Sequence, residues 1–133
     1  MQITRQADYA VRAVFYLSGL DNGQRAPTSE IARKQHIPPS FLAKIISQLS
    51  VAGVVQTSRG ARGGVSLARA SDEISLLEVV EAIDGPIMLN ECVFDRNACV
   101  FGDNCPIQEV WCNAQETLAK TLRDTTFAAL TPQ

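Results

Sequence analysis

The chain has one histidine, His36, in 133 residues, and no cysteine in residues 1–91 or 113–133. No Ser–His pair, Cys–His pair or facing carboxylates stand out, so the machinery of nucleophilic or acid–base catalysis is missing and an enzyme is not expected. No uninterrupted run of about 18 apolar residues occurs, which excludes an obvious membrane span. The apolar opening stretch is interrupted by Arg12 and lacks the layout of a secretory signal. The expected address is therefore the cytoplasm, where structural disulfides are disfavoured. There is also no internal repeat and no low-complexity segment. With 46% hydrophobic and 20% charged residues, the composition is that of one soluble domain, or a small domain with an oligomerisation element.

The chain lacks an overall basic surplus, its net charge being −2, but the charges are unevenly distributed. Residues 1–69 carry nine Lys and Arg against three Asp and Glu, a balance of +6, and residues 70–133 carry three against eleven, a balance of −8. A polyanion responds to the local field and not to the sum, so the first half remains a candidate for nucleic-acid contact.

Apolar residues at Ala7, Ala10, Val11, Val14, Leu17 and Leu20 recur at helical spacing, and the turn Asp21–Gly23 ends that helix. Pro27 and Thr28 start a second, short helix running to about Lys34 or Gln35. After the break His36-Ile37-Pro38-Pro39, a third begins with Pro39 in its first turn and stops at Gly53. Two short helices joined by a tight turn match a helix-turn-helix. The following "VVQTSRGARGGVSLAR" reads as strand, glycine-rich turn and strand, with Arg59 and Arg62 at the tip. A basic hairpin directly after a helix-turn-helix makes a winged helix, whose second helix enters the major groove of double-stranded DNA while the wing reaches a neighbouring groove. The hairpin lacks the spacing of a phosphate-binding P-loop. Ser75–Glu78, "SLLE", is a capping box opening a helix that ends before Gly85.

The cysteines Cys92, Cys99, Cys105 and Cys112 come next, spaced C-x6-C-x5-C-x6-C among turn-forming glycines and asparagines. Two disulfides, a zinc site and an iron–sulfur site compete as explanations. Structural zinc usually takes ligand pairs from tight C-x2–4-C knuckles, which are missing here, whereas iron–sulfur clusters tolerate wider spacing. Cys112 differs in lying within the last helix, where Ile107, Val110, Trp111, Ala114, Leu118 and Leu122 form one apolar stripe. Pairing with a second copy would bury that stripe, and a two-fold dimer would suit a palindromic operator.

The segments "ITRQADYAVRAVFYL", "IARKQHIPPSFLAKIISQLSVAGVVQTSRGARGGVSLAR", "ISLLEVVEAIDG" and the triple-cysteine loop leading into "CPIQEVW" carry a resemblance over nearly the whole chain. The sequence resembles the IscR/NsrR-type family of bacterial iron–sulfur winged-helix transcriptional regulators. That resemblance implies a homodimer that holds a cluster and regulates transcription, with Cys92, Cys99 and Cys105 as cluster ligands. Members of the IscR type place a histidine three residues after the third cysteine and hold a [2Fe-2S] cluster. This chain has Gln108 there, a poor ligand, and His36 reads as a turn residue. The NsrR type uses an acidic residue near the partner subunit's N-terminus to complete a [4Fe-4S] site, and Asp8 stands at the matching place. Cys112, one helical turn beyond Gln108, is the rival fourth ligand.

The expected fold is mainly α: a winged helix-turn-helix over residues 1–70 with a two-stranded wing, then residues 71–133 with a linker helix, a cluster-binding loop (86–105) and a long dimerisation helix (106–127). Ser40 and Lys44 on the second helix of the motif, with Arg59 and Arg62 on the wing, are the candidate DNA contacts. The expected function is that of a homodimeric, iron–sulfur-dependent DNA-binding regulator, a repressor responding to nitric oxide or redox stress, with [4Fe-4S] favoured over [2Fe-2S]. The rival readings are control of iron–sulfur biogenesis or iron homeostasis through a [2Fe-2S] cluster, a zinc-binding interaction module, and a small electron carrier.

Overall fold

Thr4 starts the first helix in the computed structural model, which describes residues 2–21, 23–95 and 100–131. Its hydroxyl accepts the Ala7 N–H at 3.1 Å, satisfying one of the amides that a helix start leaves unpaired. Helix α1, Arg5–Ser18, buries Ala7, Ala10, Ala13, Val14 and Leu17, and its small side chains allow neighbouring elements to approach closely. Helices α2, Thr28–Gln35, and α3, Pro39–Val51, form the helix-turn-helix. His36 closes the turn between them in the left-handed region, φ 55°, with its N–H donating to Ala32 O. Tyr16 on α1 donates its hydroxyl to the Glu30 carboxylate on α2, and that bond holds the phenol's pKa above its ordinary value.

The wing is an antiparallel pair, β1 Val55–Ser58 and β2 Gly64–Leu67, with Val55 opposite Leu67 and Ser58 opposite Gly64. Ala26, just before α2, extends the sheet by one bridge, exchanging hydrogen bonds of 2.8 and 2.9 Å with Val65. Gly64 is needed beside that bridge. Its φ is +148°, and a Cβ there would lie 2.6 Å from the Ala26 carbonyl oxygen. The winged helix-turn-helix expected from the sequence is therefore present.

Beyond the wing, Ser75 caps α4, Leu76–Asp84, by accepting the Glu78 N–H at 3.1 Å. Arg69 brackets wing and α4 together: its guanidinium pairs with Glu78 and also donates to Glu73 O at 3.2 Å and Gly53 O at 3.4 Å. The stretch after α4 is irregular, with one-turn 3-10 segments at Glu91–Val93 and Gly102–Asn104. The last long helix, expected over 106–127, instead ends early: α5 covers Pro106–Asp124. The reason is a non-local pairing. Thr125 O accepts the Leu76 N–H at 2.9 Å and Phe127 N–H donates to Ile74 O at 3.1 Å, so the backbone leaves the helix to bond with the segment entering α4. Thr126 then caps a final turn, α6, Phe127–Leu130.

One core joins the winged helix to the elements C-terminal of it. Val14, Leu17, Ile31, Leu42, Ile45, Leu49, Val54 and Val65 pack with Ile74, Val79 and Phe127. A second cluster of Ala7, Leu77, Val80 and Ile87 receives Leu118 and Leu122 from the lower half of α5. Phe127 is fully buried although it lies close to the end of the chain. Phe127→Ala is expected to cost about 3–5 kcal/mol, the range for emptying a buried aromatic site. Urea unfolding checks this, and a loss well under that range would mean that α6 is not part of the DNA-binding core.

Candidate functional site

The inward face of α3 is apolar, carrying Leu42, Ile45, Ile46 and Leu49. Ser40 and Lys44 lie one helical turn apart on the opposite, exposed side, and Ser47 continues that face. Sequence reading passed over Ser47, although its i+3 spacing from Lys44 marks it. Arg59 and Arg62 are exposed in the turn between β1 and β2. Among the described residues, neither arginine nor Lys44 is paired with a carboxylate. These three cations, on α3 and the wing, are thus left for an external anion such as DNA phosphate.

The cysteine segment is built differently. Asp84, the last residue of α4, accepts the Thr4 hydroxyl at 2.5 Å and the Thr4 N–H at 3.3 Å, which ties the start of α1 to the start of this segment. Gly85, at φ +78°, then redirects the chain. From Ile87 to Leu89, with no ladder or helix to join, the backbone takes its partners from side chains. Ile87 N–H donates to the Glu81 carboxylate at 3.3 Å, Ile87 O accepts Gln115 Nε2, and Leu89 N–H donates to Gln115 Oε1 at 2.9 Å. Asn90 caps the 3-10 turn by accepting the Glu91 N–H at 2.9 Å. Cys92 O accepts Gln108 Nε2 at 2.6 Å.

These bonds give α5 an inward face beside the apolar stripe. The side chains that α5 buries are Gln108, 6% exposed, and Gln115, 8% exposed. Ile107 and Val110 remain 59% exposed and Trp111 40%, while Leu118 and Leu122 alone of the larger stripe residues pack on α1 and α4. The upper half of α5 faces an irregular segment whose amides and carbonyls need polar partners, so side-chain amides line that face.

Cys92, Cys105 and Cys112 are half-buried free thiols, and Cys99 lies outside the described residues. Cys92 sits in the Glu91–Val93 turn, and Cys105 occupies the N-cap of α5. Cys112 stands between the two glutamines on one face of α5, four residues after Gln108 and three before Gln115. Asp8 is exposed on α1, where its carboxylate accepts Arg12 Nε at 3.1 Å. Among the described residues, no three His, Cys, Asp or Glu side chains converge on a common point. No helix is long and apolar enough to cross a membrane, again among the described residues.

Comparison with known proteins gives consistent matches. The sequence model of the Rrf2 family, described as an iron-dependent transcriptional regulator, matches residues 3–133. A Mycobacterium tuberculosis (strain H37Rv) protein named as an HTH-type transcriptional regulator, Rv1287, is 33% identical over 128 residues, covering 96% of this chain and 80% of its own. Among solved structures, CymR, the global cysteine regulator of B. subtilis, superposes with a TM-score of 0.84 at 23% identity, covering 98% of this chain and 95% of its own. IscR of T. potens superposes with a TM-score of 0.79 at 23% identity, covering 98% of this chain and 85% of its own. At that identity the two structures speak for the fold.

The unpaired wing arginines lead to a direct test. Arg59→Ala with Arg62→Ala is expected to weaken DNA binding and to flatten the dependence of log affinity on log salt by about 0.9 for each phosphate no longer neutralised. Fluorescence-anisotropy titrations at several salt concentrations measure both quantities, and an unchanged affinity and slope would remove the wing from the interface.

Proposed function

This chain belongs to the Rrf2 family of transcriptional regulators, and from that premise we propose that it is a homodimeric, iron–sulfur-dependent repressor that responds to nitric oxide or redox stress. The observation that carries the reading is the way the thiol-bearing segment is fastened. At one end Asp84 grips Thr4, the N-cap of α1, and at the other Gln108 holds the Cys92 carbonyl against α5. A change at the cysteines is therefore felt at the helix on which the helix-turn-helix packs.

The residues fit a cluster. Cys92 and Cys105 are free, half-buried thiols at two ends of an irregular segment, and sulfur is the donor that iron–sulfur chemistry requires. Cys99 is the third ligand in this reading. Asp8 of the partner subunit is the fourth, favouring [4Fe-4S], and Cys112 is its rival. A bound cluster would supply a centre reactive toward oxygen and nitric oxide. The carboxylate of Asp8 is a weaker ligand for iron than a thiolate, so it yields its place readily, and it must first leave Arg12. The exposed Ile107, Val110 and Trp111 fit a two-fold contact with the same face of a second copy, which would set two α3 helices against the half-sites of a palindromic operator. Ser40 and Lys44 then contact the major groove or its phosphates, with Arg59 and Arg62 alongside.

Two features weigh against the rivals. A glutamine has no imidazole, and its amide nitrogen donates to the Cys92 carbonyl and offers no lone pair, so position 108 lacks the nitrogen ligand of an IscR-type [2Fe-2S] regulator of biogenesis or iron homeostasis. A zinc module would want a tight cysteine knuckle, which the spacing lacks.

Anaerobic purification with iron and sulfide counting and Mössbauer spectroscopy tests the cofactor. Cys92→Ala, Cys99→Ala and Cys105→Ala are each expected to abolish stable assembly, and Cys112→Ala to retain it. Asp8→Ala should leave a cluster that decays faster in air, and Asp8→Cys one that decays more slowly. A colourless Cys112→Ala protein beside a brown wild type would instead make Cys112 the fourth ligand.

A further inference from the structure

We infer that Gln108 is a positioning residue for the cysteine ligand set: it fixes the Cys92 backbone to the helix that Cys105 begins. The inference rests on the cluster reading above for what the two cysteines hold, while the brace itself stands on geometry. Cys92 lies in a single 3-10 turn whose internal hydrogen bonds use the carbonyls of Asn90 and Glu91. The Cys92 carbonyl takes its partner from outside the turn, Gln108 Nε2 at 2.6 Å. Gln108 lies three residues past Cys105, and its own N–H donates to Cys105 O at 3.1 Å. One residue thus bonds to the backbone of both cysteines, which stand thirteen positions apart in the chain. At 6% exposure the side chain is shielded from water, so separating Cys92 from α5 leaves a buried donor and a carbonyl without partners.

The residue type suits the task. A carboxylate of the same length has no N–H to donate, and its charge would oppose thiolates nearby. A neutral amide donates and adds no charge. Gln115, two turns further along α5, repeats the arrangement on Ile87 and Leu89, so the segment is clipped at two heights. Of the two, Gln108 acts on a cysteine.

The test uses the full chain with Gln108→Met, which keeps the length and loses the donor, and Gln108→Glu, which keeps the shape and reverses the hydrogen-bonding character. In cluster-free protein, iodoacetamide labelling read by mass spectrometry gives the alkylation rate of Cys92 relative to Cys112. Loss of one buried hydrogen bond is expected to raise that ratio about tenfold in both variants. In anaerobically reconstituted protein, the visible circular dichroism of the cluster should change shape and its half-life in air should fall, also about tenfold. An unchanged Cys92 ratio overturns the brace whether or not iron is held. An altered ratio with an unchanged cluster spectrum and half-life overturns the positioning role. Equal acceleration at Cys92 and Cys112 with loss of far-UV helicity in both variants indicates general unfolding and likewise overturns it. A wild-type protein that takes up no iron overturns the cluster reading instead, and the labelling ratio still decides the brace.

Discussion

Among the described residues between α4 and α5, the Ile87 carbonyl, the Leu89 N–H and the Cys92 carbonyl have no helix or sheet partner, and the two buried glutamines of α5 satisfy all three. A buried amide or carbonyl left without a partner costs as much as a lost hydrogen bond, so an irregular segment packed against a helix needs side-chain partners at fixed heights. Gln108 and Gln115 are spaced seven residues apart, two turns of one face, and reach Cys92, Leu89 and Ile87 in turn. The position of Cys92 and the course of the chain through Ile87 and Leu89 depend on that arrangement.

The same segment is joined to the DNA-binding part by a short series of contacts. Asp84 holds Thr4, Thr4 caps α1, and α1 contributes Ala10, Val14 and Leu17 to the core shared with α3. Arg69 adds a second tie by linking the end of the wing to α4. Well-packed cores transmit small displacements because they deform little. In the proposed reading, a change near Cys92 would reach α3 by two routes, through the start of α1 and through α4. The exposed cations at Lys44, Arg59 and Arg62 lie on α3 and the wing, so in the proposed dimer their spacing would depend on how those routes are set.

Much of this was legible in the sequence where the signals are local. Pro39 in a first turn, the Ser75–Glu78 box and the glycine-rich wing each specify backbone within a few residues, and the helices and hairpin appear where they predict. The break at Asp124 was not legible, because it depends on Thr125 and Phe127 pairing with Ile74 and Leu76, some fifty positions earlier in the chain. The inward face of α5 was not legible either. The stripe expected to pair with a second copy, Ile107, Val110 and Trp111, is exposed in the single chain, whereas the side turned to the irregular segment carries Gln108 and Gln115, which apolar periodicity does not register. The available hint was a pair of glutamines on one helical face directly after a segment rich in asparagine and glycine. Of the candidate site, the exposure of Ser40, Lys44, Arg59 and Arg62 could be read from their places on α3 and in the wing turn, whereas the bond from Gln108, a poor ligand by sequence, to the Cys92 carbonyl could not.

The central claim is that the state of the cysteine segment governs DNA binding. Operator affinity measured on one anaerobic preparation, first with its cluster and then after the cluster is removed by chelation, tests it most directly at a single salt concentration. The account predicts that the loaded protein binds more tightly, by about 5–150-fold, the usual range for coupled sites. Equal affinity in the two states, with the protein still folded and dimeric, would contradict it.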